Sequence, residues 1–207
     1  MATCRICHRC SAEISQALGL CAACVRADSQ ASREIVRQAH RRSRERFGLP
    51  GSPPRSPGGL RCTRCANVCQ IEEGASGYCG IRRAEEGRLV GGGSEGAAVT
   101  WYRDPLPTNC VADWVCPAST AAGYPTFTDT HGPEHGSHNL AVFYEACSFD
   151  CLFCQNWHFR HPSSRLRLRR AEELARAVHQ RTRCICFFGG DPSCQIEHAL
   201  ASSRMAL

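Results

Sequence analysis

The C-terminal third of the chain reads as alternating blocks. LAVFYEA (140–146) is a nearly continuous run of apolar, β-forming residues and predicts a strand buried on both faces. AEELARAVHQ (171–180) spaces Leu174, Ala175, Ala177 and Val178 at helical intervals and opens on acidic residues, which suit a helix N-terminus. CICFFGGDP (184–192) predicts a second buried strand ending in Gly-Gly, and QIEHALASSR begins a further helix. Strand, helix, strand is a βαβ unit, and its right-handed crossover makes the two strands parallel neighbours. Both carboxyl ends then open on one edge, where parallel α/β folds bind ligands. The expected fold class is α/β.

Upstream the pattern is less regular. A helix is expected over 29–47, followed by LPGSPPRSPGG (49–59), whose Pro, Gly and Ser read as a linker. The segment 88–139 reads as Pro and Gly turns with short apolar pieces. The expected organisation is a small module with a helix over 1–48, a linker over 49–60, a cysteine-rich extension over 61–139 and the α/β segment over 140–207. The N-terminus, MATCRICHRC, has no signal-peptide pattern, and no apolar run approaches the ~20 residues that span a bilayer. A cytoplasmic protein without a membrane partner is expected.

Cysteine changes this picture. Seventeen cysteines in 207 residues exceed what a core uses as small hydrophobes, and an odd number in a reducing compartment argues against a disulfide framework. Knuckle spacings point to metal instead. Cys7-x2-Cys10 and Cys21-x2-Cys24 form a zinc-ribbon pattern in which four thiolates converge on one ion, leaving Cys4 as a spare or a competitor of Cys7. Cys62, Cys65, Cys69 and Cys79 again number four, with glycines at 74, 77 and 80 allowing tight turns. Structural zinc and an iron–sulfur cluster both satisfy that spacing, which does not choose between them.

Cys147-x3-Cys151-x2-Cys154 follows the first predicted strand directly. Four cysteines close a [4Fe–4S] cluster, whereas three leave one iron open to a substrate or cofactor. A zinc reading of this triad needs a fourth ligand, for which His158 or His161 stands nearby. Cys110 and Cys116 have no diagnostic spacing, Cys194 has no evident role, and Cys184 and Cys186 flank Ile185 on one strand face, where buried packing accounts for them. His131, His135 and His138 have metal-like spacing but read better as polar loop residues.

The net charge is +6 and all 25 basic residues are arginine. Without lysine, Schiff-base chemistry and a P-loop lysine are excluded. Arginines cluster in 33–47 and in RLRLRR (165–170), and a solvated helix face accounts for them better than nucleic-acid binding does. No Ser/His/Asp or Cys/His hydrolase motif is present.

The triad, with Phe153 before its last cysteine and GGDP a helix and a strand later, resembles the radical S-adenosylmethionine (radical SAM) superfamily. CQNW after the triad and the upstream C-x2-C-x3-C…G-x-CG-I-R resemble the pyruvate formate-lyase activating enzyme-like branch, including the radical SAM member of the AmmeMemoRadiSam group; the likeness covers residues 60–204. The resemblance implies a partial (β/α) barrel. It also implies that Cys147, Cys151 and Cys154 bind three irons of a [4Fe–4S] cluster while SAM chelates the fourth. Gly189, Gly190, Asp191 and Pro192 would match the family's GGE motif, its backbone and acidic group holding the methionine ammonium, with Asp191 where Glu is commoner. Phe153 would lie near the adenine. Reductive cleavage of SAM to a 5′-deoxyadenosyl radical, an electron donor such as flavodoxin or ferredoxin, and a protein or small-molecule substrate follow from the same resemblance; no further catalytic residue is assigned.

Such a barrel needs about four more βα units after GGDP, each of ~30 residues, and fifteen residues follow Pro192. The expectation is therefore the N-terminal portion of a radical SAM protein, its second strand left as an apolar edge. The alternative is a catalytically inactive metal-binding module of zinc-ribbon type.

Overall fold

The computed structural model describes residues 1–93, 95–161 and 167–207, so Arg165 and Leu166 of the RLRLRR run lie outside the described residues. The chain is mixed α/β, with small two-stranded sheets before one four-stranded sheet. Strands β1 (Ala2–Thr3) and β2 (Cys10–Ser11) form an antiparallel pair around the first cysteine turn. Two helices follow, α1 (Ala22–Arg26) and α2 (Gln30–Glu45). Ser29 caps α2 by accepting the Ser32 N–H at 3.2 Å, a contact typically worth about 1 kcal/mol. The helix buries Ser32, Ala39 and Arg44.

The expected linker is built into the second cysteine module. Pro54 O accepts the Gln70 N–H at 2.9 Å, and Ser56 N–H donates to Gln70 O at 3.2 Å. This lays the segment against the hairpin of β3 (Leu60–Arg61) and β4 (Gln70–Ile71). A second hairpin, β5 (Arg83–Glu85) with β6 (Arg88–Val90), completes the module, whose small core gathers Cys62, Cys69, Ile71, Tyr78 and Ala84.

The large sheet has the order β10-β8-β7-β9. Its strands are β7 (Ala97–Pro105), β8 (His138–Tyr144), β9 (Leu168–Arg169) and β10 (Thr182–Gly189), with α3 (Pro117–Thr120) between β7 and β8. The predicted pair β8 and β10 is parallel, Ile185 beside Leu140 and Phe187 beside Val142. The predicted helix between them is short: α4 covers Ala171–Ala175, after which Ala177 and Val178 continue as a turn that still packs on the core. Helix α5 (Ile196–Ala206) closes the described fold.

Strand β7 is longer than the short apolar pieces expected between the turns of 88–139. It runs antiparallel to β8 over seven paired positions, Val99 opposite Tyr144 to Pro105 opposite His138. Its flanking glycines and terminal proline look like loop punctuation, but β8 offers it an apolar partner, and pairing overrides local signals. The core gathers Ala97, Val99, Leu140, Val142, Tyr144, Leu174 and Ala199, each large member worth roughly 1.5–3 kcal/mol when fully buried. No helix among the described residues is long and apolar enough to cross a membrane.

Candidate functional site

The site forms where β8 and β10 end side by side. Beyond β8 the buried Ala146 leads into the triad, and its carbonyl accepts the Asp191 N–H at 2.9 Å. The Ser148 N–H donates to Asp191 Oδ2 at 3.3 Å, and the Ser148 hydroxyl donates to the same oxygen. The two loops, 43 residues apart, are thereby one structure.

Within the triad loop the Phe149 N–H points at Cys147 Sγ, 3.4 Å away, and the Cys154 N–H closes a turn onto Cys151 O at 3.1 Å. Burial pushes the Cys147 thiol up to about 11; the Phe149 N–H opposes this, and the charges of Asp191, Cys151 and Cys154 add to it. The Cys147 sulfur therefore senses Cys151 and Cys154, and a positive metal centre beside it would favour its thiolate. Phe153 stands in solvent, 88 % exposed.

Glycine at 190 is a steric requirement. Its φ is +68°, and a Cβ there would lie 2.0 Å from Tyr144 O and 2.8 Å from Ala146 O. At Gly189 a Cβ would meet the Phe143 ring at 2.4 Å. The Asp191 carboxylate clasps the loop rather than projecting from it: besides Ser148 it accepts the Ser193 N–H at 2.9 Å and the Ser193 hydroxyl at 2.5 Å. Burial resists its ionisation, but these donors outweigh burial and hold it below the usual aspartate range. Pro192 opens the 3₁₀ turn that follows.

A second set of residues carried no sequence signal. Asp150, inside the triad, has a side chain 2 % exposed; its Oδ1 lies 2.8 Å from Arg160 Nη2 and its Oδ2 2.9 Å from His40 Nδ1 on α2. Arg44, one turn further along α2, is wholly buried, stacks 3.6 Å above the Tyr78 ring and approaches Asp150 at 3.9 Å. Arg160 also donates to Ser43 Oγ at 2.9 Å and to Cys151 O at 3.1 Å. The arginines of 33–47 are thus not all solvated. From the other side, Asn67 Nδ2 donates to Ser148 O at 2.8 Å and Arg64 pairs with Glu197. Both upstream modules grip the triad loop.

In the N-terminal module, Cys4, Cys7, Cys21 and Cys24 bring their sulfurs within 4.8 Å of one another. This corrects the expected set, with Cys4 in place of Cys10. The β1–β2 turn puts Cys4 and Cys7 at its two ends, whereas Cys10 lies in β2, paired with Thr3 and exposed. Backbone N–H groups of Cys7, Cys21 and Ile6 draw the Cys4 thiol down to about 6, and its neighbour Cys21 pushes Cys24 up to about 12.

No other set of three or more ligand side chains among the described residues draws together as tightly. Cys62 and Cys69 belong to their small core, whereas Cys79 turns toward Cys194 of the 191–195 turn, whose hydrogen bond draws Cys79 down to about 6; Cys65 is half-buried. Cys194 itself is 1 % exposed. The loop histidines disperse: His138 is buried in β8 beside Thr182, at 2.8 Å, while His131 packs on Tyr124. His161 packs on Phe47 and Trp157, and His158 lies toward Phe143.

Residues 141–206 match the family model described as Radical SAM superfamily. That segment spans most of β8, the triad loop, α4, β10, the GGDP turn and α5, so the family resemblance falls on the part of the chain that forms the candidate site. Neither the curated proteins nor the solved structures contain a match to the chain.

Proposed function

We propose that this chain carries the cluster- and SAM-binding half of a radical SAM enzyme of the pyruvate formate-lyase activating enzyme-like type. In this reading β8, α4, β10 and α5 open a partial (β/α) barrel, preceded by the modules of 1–48 and 61–139 with 49–60 between them. Cys147, Cys151 and Cys154 would hold a [4Fe–4S] cluster, and Gly189, Gly190, Asp191 and Pro192 would hold SAM. When bound, the cluster supplies the electron that splits SAM into methionine and a 5′-deoxyadenosyl radical able to abstract hydrogen from a substrate.

The observation that carries the reading is the hydrogen-bonded junction of Ser148 and Ala146 with Asp191, which ties the triad to the glycine turn at the carboxyl edge of parallel strands. The donor set fits: three soft thiolates leave one cluster corner without a protein ligand. The glycine turn fits as well, since Gly190 lets the turn pass directly against Tyr144 O, where no side chain could stand. Asp191 then acts by holding Ser148 and Ser193 in place, and the exposed Phe153 is available to lie against an adenine. Cys4, Cys7, Cys21 and Cys24 suit a structural zinc ion, and Cys62, Cys65, Cys69 and Cys79 zinc or an iron–sulfur cluster. Partners are SAM, a one-electron donor such as flavodoxin or ferredoxin, and a protein or small-molecule substrate.

The closed Cys4 group favours a second reading, a metal-binding interaction module without radical chemistry. One experiment separates them. The chain is reconstituted anaerobically with iron and sulfide, and 5′-deoxyadenosine is measured after adding SAM and dithionite, with a Cys147→Ala, Cys151→Ala, Cys154→Ala control. Triad-dependent cleavage supports the enzyme; a soluble, cluster-loaded chain that forms none supports the module.

A further inference from the structure

Of the six cysteines outside these sites, Cys10, Cys110, Cys116, Cys184, Cys186 and Cys194, the fold brings Cys110, Cys116, Cys184 and Cys186 to one face. Cys184 and Cys186 alternate with Ile185 and Phe187 on β10. The latter two pack on the core, so the cysteines face the other side of the sheet. Cys184 is exposed and Cys186 half-buried, which removes the expectation that core packing explains them. The register extends their face across the sheet: Cys186 lies beside Ala141, and Ala141 beside Tyr102. Asp104 and Asn139 continue it, joined by an Asn139 Nδ2 to Asp104 Oδ2 hydrogen bond of 3.0 Å.

The segment after β7 folds over this face. The Thr108 hydroxyl donates to Asp104 Oδ2 at 2.5 Å and accepts the Cys110 N–H at 3.1 Å, which anchors Cys110 above the sheet. The Thr108 N–H donates to Ser119 Oγ at 3.0 Å, anchoring the helix that Cys116 opens. Cys116 and Cys184 line the same cavity of about 490 Å³. The Ala112 N–H points at Cys110 Sγ at 3.4 Å, as the Phe149 N–H does at Cys147 Sγ, two residues on in each case. Such a donor stabilises a thiolate.

We propose that Cys110, Cys116, Cys184 and Cys186 form a further thiolate metal site, two ligands from the edge strand and two from the segment laid across it. Four sulfurs on one accessible face are the donor set of zinc or an iron–sulfur cluster. Their sulfurs are more widely spread than the closed Cys4 group, which suits a cluster better than a single ion. Cys186 is three residues from Gly189, about 10 Å along the strand, so this centre would sit deeper along the sheet than the triad edge.

The test does not depend on SAM chemistry. Zinc, iron and acid-labile sulfide are measured per chain after anaerobic purification of the full chain, of Cys184→Ser with Cys186→Ser, and of the triple triad variant. The edge-strand double variant should lose one zinc equivalent, or one cluster's iron and sulfide, while the triad variant keeps that centre and loses its own separately. Unchanged metal in the double variant overturns the site. Should that variant not fold, iodoacetamide labelling of the parent chain decides. Protection of all four cysteines that is released together by chelation supports the site. Full labelling before chelation, or a disulfide among the four, overturns it.

Discussion

His40 Nδ1 lies 2.9 Å from Asp150 Oδ2, joining a helix of the N-terminal module to the middle of the triad loop across 110 residues. The same carboxylate holds Arg160, and Arg44 lies behind it. The loop that carries the three cysteines is thus held from behind by a buried charge cluster as well as by its own backbone hydrogen bonds.

Removing that carboxylate strands two buried guanidinium groups. Asp150→Ala should therefore destabilise the metal-loaded chain by about 3–5 kcal/mol, the usual cost of breaking a buried pair from one side. Urea unfolding measures it, and a loss below about 1 kcal/mol would show that the cluster is not structural.

Gly190 and Gly74 both have positive φ, +68° and +76°, but only Gly190 is crowded. Gly74→Ala should cost about 1–2 kcal/mol, the strain of a Cβ at positive φ, and leave the candidate site intact. Gly190→Ala forces β8 and β10 apart at their ends, because the new Cβ meets Tyr144 O. It should abolish 5′-deoxyadenosine formation and lower the melting temperature; activity within twofold of the parent would contradict this account of the turn.

The structure and the cysteine spacing disagree over one ligand, which a pair of variants resolves. Cys4→Ser should lose one zinc equivalent per chain, while Cys10→Ser retains it. The reverse pattern, read by metal analysis, would restore the ligand set built on Cys7 and Cys10.

Glu134 shows how acid should act on the segment over the sheet. Burial resists its charge, but the Thr128 hydroxyl, the Asp129 N–H and Arg183 outweigh burial and hold it below the usual glutamate range. Its contribution is complete above the unfolded value of about 4.3. It fades as pH falls through the lower folded value. Parent and Glu134→Gln should therefore differ in urea midpoint at pH 7 and converge as the pH falls below the lowered folded value; a gap that persists in acid would mean the charge is not the cause.

Much of the site was legible along the chain. The apolar run of β8, the alternation in β10 and the Gly-Gly after it carry enough local signal to specify a parallel pair and the edge at which the candidate site forms. Cysteine spacing located the triad and the upstream modules. Spacing could not choose Cys4 over Cys10, because both lie at x2 from Cys7 and only the turn between β1 and β2 decides which sulfur faces Cys21. Strand β7 was hidden because a strand's stability comes from its partner, and that partner is some 40 residues away. The clasp of Asp191 on Ser148, the Asp150 charge cluster and the gathering of Cys110 and Cys116 over Cys184 and Cys186 belong to tertiary structure alone. Each joins residues far apart in sequence, where no local periodicity records a contact that only packing creates.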